Sequence, residues 1–90
     1  MNCSNFVKHT ANPVTTLRYD LPKDDFVNIT VYDMLGNVVS NLVNQNQNSG
    51  YKSIQWNATN SFGKPVSAGV YLYQIRAGEF IQTKKMVVLK

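Results

Sequence analysis

The chain holds one cysteine, Cys3, and one histidine, His9. A lone cysteine closes no intramolecular disulfide, so the fold must rest on its core. One Cys and one His do not make the donor set of a structural zinc site, and no metal or other cofactor is expected. The cysteine count leaves the redox compartment open. No stretch approaches the roughly 20 apolar residues of a membrane-spanning helix. Met1-Asn2-Cys3-Ser4-Asn5 has neither a basic n-region nor an apolar h-region, so it does not read as a secretory signal. Export, if any, would then be directed from upstream in a longer protein, and Met1 is read as added to a fragment.

Charge is also scarce. Charged residues make up 16% of the chain, against about a quarter in a typical globular domain. The net charge is +4, but Lys8, Arg18, Lys23, Lys52, Lys64 and Arg76 are scattered. Lys84 and Lys85 are adjacent and point to opposite faces of a strand. That dispersion argues against a nucleic-acid partner. Catalytic groupings are missing as well. His9 stands without a partner acid or nucleophile. Asp24 and Asp25 are a turn pair rather than an acid–base couple, and they bring too few oxygens for calcium. No glycine-rich phosphate cradle is present. The chain is not expected to be an enzyme.

What is present is β structure. The 90 residues are 43% apolar and 11% aromatic, enough for one small packed domain. Residues 1–13 lack a clear period and read as a linker or tether, with the domain over 14–90. Thr15–Leu21 alternates strictly, and Pro22 ends it. Phe26–Asp33, Val38–Val43 and Tyr51–Ala58 follow as strands. They are separated by turns at Lys23–Asp25 and Met34–Asn37 and by an asparagine-rich loop, 44–50. Between Met34 and Val43 the pattern admits at most one loose helical turn. Asn60–Pro65 is a long turn around Gly63. Gly69–Lys90 reads as a hairpin reversing at Ala77-Gly78-Glu79. Gly36, Gly63, Gly69 and Gly78 are the expected turn and bulge glycines.

Short strands with regular turn signals predict an all-β, Ig-like antiparallel sandwich of about seven strands. Its expected core is Leu17, Tyr19, Leu21, Val27, Ile29, Val31, Leu42, Ile54, Trp56, Tyr71, Tyr73, Ile75, Met86 and Val88. Trp56, Tyr71 and Tyr73 alternate with polar neighbours, which favours a core over a sugar-stacking platform. Tyr32 and Tyr51 lie on the opposite registers and are the better candidates for an exposed aromatic contact.

An ordered series of motifs adds a resemblance. It consists of Asn12-Pro13, Thr15–Pro22, Val31-Tyr32-Asp33-Met34-Leu35-Gly36, Trp56, Asn60 with Gly63, Ala68–Tyr73 and Lys85–Lys90. Together these resemble the type A C-terminal sorting domain of the bacterial type IX (Por) secretion system. The segment Asn5–Pro13 departs from that family's Pro-rich entry. The resemblance implies an Ig-like fold on the C-terminal side of a larger cargo, passage through periplasm and outer membrane, recognition by the translocon, and removal by a surface sortase. Location would then be secreted or cell-surface, in Bacteroidetes-type bacteria. On that reading Lys84, Lys85, Met86, Leu89 and Lys90 are the translocon-facing residues. Met86 also fits a plain core position, and the lysines also fit protection of an edge strand.

Two other readings stand beside it. One is an Ig-like or carbohydrate-binding accessory module of a secreted enzyme. The other is a structural spacer, as in the Ig-like domains of flagellar hook-capping proteins. Unpaired edge strands would also permit a weak homodimer by edge pairing.

Overall fold

Period-two alternation of apolar residues dictates a sheet buried on one face, and two such sheets must cover one another. The computed structural model describes the backbone of residues 3–7 and residues 15–88 in full. Among the described residues there are seven strands and no helix: β1 Cys3–Val7, β2 Thr15–Leu21, β3 Asp25–Tyr32, β4 Val38–Gln47, β5 Gly50–Trp56, β6 Gly69–Ala77 and β7 Phe80–Val88. They form two antiparallel sheets, in the orders β1-β2-β5 and β4-β3-β6-β7. The expected all-β sandwich is therefore the observed fold.

The core lies between the sheets. Leu17, Val27, Ile29, Val31, Tyr73 and Ile75 are fully shielded, with Tyr19, Leu21, Trp56, Met86 and Val88 nearly so. Each large apolar side chain buried this way contributes about 1.5–3 kcal/mol. Trp56 of β5 meets Tyr71 of β6 edge-to-face, with ring centroids 5.5 Å apart and planes at 69°. That contact joins one sheet to the other.

Three sequence expectations need correction. The first concerns residues 1–13, read as a tether: Cys3–Val7 is a strand, paired with β2 from Cys3 opposite Tyr19 to Val7 opposite Thr15. An edge strand is held by its backbone ladder, so it needs no strict apolar alternation. Asn12 and Pro13, His9, Leu89 and Lys90 lie outside the described residues.

The second concerns the asparagine-rich loop. β4 runs on through Gln47, leaving only Asn48 and Ser49 before β5. Asn44, Gln45 and Asn46 are exposed and pair with Asn28, Val27 and Phe26. A strand of this kind satisfies its backbone on one side and shows polar side chains to water.

The third concerns the core membership of β4. Ile29 pairs with Val43 but Thr30 with Asn41; Val31 pairs with Ser40 but Tyr32 with Val38. Leu42 and Val39 are therefore extra residues, two β-bulges in one strand. Each bulge resets the alternation. Val43 becomes the buried residue, while Leu42 and Val39 are half-buried against the core's rim. Ile54, on the edge strand β5, is also only half-buried, whereas Ala58 and Ala77 join the core.

Candidate interaction surface

The connections β3–β4 and β5–β6 lie at one end of the sandwich, here called the loop end. Both contain the same five-residue turn. In the first, Asp33 Oδ1 accepts hydrogen bonds from the N–H groups of Leu35 and Asn37, each at 2.9 Å. In the second, Asn60 Oδ1 accepts from Phe62 and Lys64 at 2.9 and 3.0 Å. The backbone repeats too. Gly36 N–H donates to Asp33 C=O and Gly63 N–H to Asn60 C=O, while Asp33 and Asn60 N–H donate to Asn37 and Lys64 C=O. The fourth position is glycine in both, with φ of +88° and +78°, a conformation that costs a side-chain-bearing residue energy.

The sequence specifies this turn locally. An Asx side chain two and four residues before the N–H groups it binds replaces the backbone partners that a reversal leaves open. Asn37 Nδ2 also donates to Asp33 Oδ2. The Asn37 N–H, with further donation from Leu35, Gly36 and the Asn37 side chain, holds the Asp33 carboxyl below its ordinary pKa of 3.8.

The β5–β6 turn is fastened to β4 and to the core. Ser61 donates to Val39 C=O through its N–H at 2.9 Å and its hydroxyl at 3.1 Å. Trp56 Nε1–H donates to Thr59 C=O at 2.8 Å, and Tyr71 O–H to Ser67 C=O at 2.7 Å. Two buried aromatics thus anchor the β5–β6 connection. The third position of each turn points an apolar side chain at water: Leu35 is 88% exposed and Phe62 87%. Met34 and Val38 beside them are exposed as well. A shallow cavity of about 470 Å³ opens between the turns, lined by Val38, Ser61, Phe62, Pro65 and Val66 among others.

Of the terminal-strand residues expected to form a signal, the described three, Lys84, Lys85 and Met86, do not share one exposed face. Lys84 pairs with Tyr73 and Met86 with Tyr71, so both lie on the inner face of β7; Lys85 pairs with Leu72 on the outer face. Met86 is buried and Lys85 exposed. Lys84 is an inward lysine at a sheet edge, a device that discourages strand addition. The edge-pairing dimer loses support at β4 as well, because two bulges break the flat template such pairing requires. Tyr51 is exposed on the outer face of β5 and Tyr32 half-buried on that of β3. They belong to different sheets and form no common platform. Trp56, Tyr71 and Tyr73 are buried, so they offer no sugar-stacking surface.

Among the described residues, no three His, Cys, Asp or Glu side chains are grouped to hold a metal, and no helix is long and apolar enough to cross a membrane. The signal for the loop end was in the sequence: Asp33-x-Leu35-Gly36-Asn37 and Asn60-x-Phe62-Gly63-Lys64 share one pattern. Each reads singly as a turn; only side by side do they show a repeated element.

Comparison with known proteins gives a family. The model described as the FlgD Ig-like domain matches residues 4–79. The crystal structure of FlgD from P. aeruginosa is similar with a TM-score of 0.68 at 24% identity, covering 90% of this chain and 63% of that one. The chain thus spans less than two thirds of that protein's length. No curated protein matches.

These findings overturn the type IX sorting-domain reading. With it go the translocon and sortase as partners, the cargo arrangement, the secreted or cell-surface location, and the translocon role of the terminal residues. The carbohydrate-binding alternative gains no support either. The reason lies in what the motifs are. Asp33–Gly36 and Asn60–Gly63 build turns, Trp56 and Tyr71 fill the core, and Gly69–Tyr73 begins β6. Every one of these is required by the sandwich itself, so the series reports fold rather than export. On the match across residues 4–79, the chain belongs to the FlgD Ig-like domain family.

Proposed function

We propose that this chain is a non-catalytic structural module of a larger FlgD-type protein and works in flagellar hook assembly. It would hold neighbouring parts at a fixed spacing and present its loop end as a contact surface. The observation that carries this reading is the family match across residues 4–79. The loop end supports it: two hydrogen-bonded turns hold Leu35 and Phe62 in water with their backbones already fixed, which lowers the entropy cost of a contact.

The test is genetic. In a strain lacking the parent gene, the full parent protein should restore hook formation and swimming. The same protein carrying Leu35→Ser and Phe62→Ser should restore them poorly while accumulating at normal levels. If a parent protein with residues 1–90 deleted restores motility fully, the module has no part in assembly and the reading is overturned.

A further inference from the structure

The two ends of the sandwich are unlike. The loop end carries Leu35, Phe62, Met34 and Val38 exposed, with the Lys64 ammonium alongside. Its one acidic group among the described residues, Asp33, already accepts three hydrogen bonds. The opposite end is formed by the β2–β3, β4–β5 and β6–β7 connections, the first two tied where Ser49 N–H donates to Asp24 Oδ1 at 2.8 Å. Three of the five acidic residues of the chain, Asp24, Asp25 and Glu79, sit in or beside these turns. A cleft of about 420 Å³ opens there, with Leu21, Pro22, Ala77 and Phe80 as its apolar walls and Asp25 and Glu79 at its rim; Lys23 is the basic group lining it.

We infer that the loop end of one copy docks into this cleft of a second copy, head to tail. Apolar knobs flanked by a lysine at one end meet an apolar cleft flanked by carboxylates at the other. The two surfaces are different, so the contact is heterologous and can propagate. This is independent of where the parent protein works, and it uses neither sheet edge. The contact is small. An end-on meeting across the 24 × 20 Å cross-section covers at most about 500 Å² per copy, below the roughly 800 Å² of a standard interface. Association is therefore weak and shows only at high concentration or when copies are held close together.

Sedimentation velocity of the chain from about 20 µM to about 1 mM spans the weak regime. The weight-average mass should rise with concentration and fall back as salt is added, because the pairing of Lys64 with carboxylates is screened. Leu35→Ser/Phe62→Ser and Glu79→Lys/Phe80→Ser should each be folded by circular dichroism and remain monomeric alone. Mixed together they should form a 1:1 dimer that grows no further, since one supplies a working loop end and the other a working cleft. A wild-type chain that stays monomeric throughout overturns the inference. So does self-association that survives both double substitutions, and so does a mixture that stays monomeric while the wild type associates.

Discussion

Gly78 sits at the first position of the two-residue β6–β7 turn, with φ of +59°. A Cβ there would meet Asp25 Oδ2 at 2.5 Å. That carboxylate ends a side chain that can turn aside, so the cost of Gly78→Ala comes from the left-handed backbone, about 1 kcal/mol, read as a fall in melting temperature of roughly 4–8 °C per kcal/mol. Asp33 gives a pH signature at the same scale. Its folded pKa lies below the unfolded value of 3.8, so its contribution is fully present above that value and is lost as pH falls through the folded pKa. Asp33→Asn keeps one side-chain acceptor and removes the charge. The wild type should be the more stable at neutral pH, and the difference in urea midpoint should close as pH drops below about 4.

At the scale of elements, much was legible. Thr15–Leu21 alternates without a fault and ends at proline, and β2 spans those residues. Gly78 between two apolar arms marked the terminal hairpin. What escaped was whatever depends on a neighbour rather than on the strand itself. Leu42 and Val43 are both apolar, and only the register against β3 shows that the bulge turns Val43 inward. Val43→Ala should then cost about 2 kcal/mol and Leu42→Ala about 1 kcal/mol or less, a ranking that side-chain size alone would reverse and that urea titration can check. β1 and the outer half of β4 escaped for the same reason: polar edge strands are specified by their partners' backbones.

For the whole molecule, a single cysteine allows no intramolecular disulfide to brace the core, and domains of this size are marginal. Trp56 is the largest fully buried side chain, and it ties both the second sheet and the β5–β6 loop to the first. Trp56→Ala should remove about 3–5 kcal/mol from a total of order 5–15 kcal/mol. A fall in the urea midpoint followed by far-ultraviolet dichroism would register it, because the substitution itself removes the indole signal at longer wavelengths. The candidate surface was half legible at this scale. The paired turns stand in the sequence, but their shared end of the molecule follows only from strand order. The sorting-domain resemblance misled for a related reason, because turn and core motifs travel with the sandwich whatever task it serves.

The strand order has one more consequence, and it concerns time. β2 pairs with β5 and β3 with β6, joining stretches far apart in the chain. Distant pairings must close long loops before any reward arrives, so refolding should fall in the millisecond-to-second class of β-sandwiches. The β6–β7 hairpin needs only its two-residue reversal and can form within about 1–10 µs. When the whole chain refolds from denaturant, that ribbon would wait, its inner tyrosines uncovered, for the other strands to arrive.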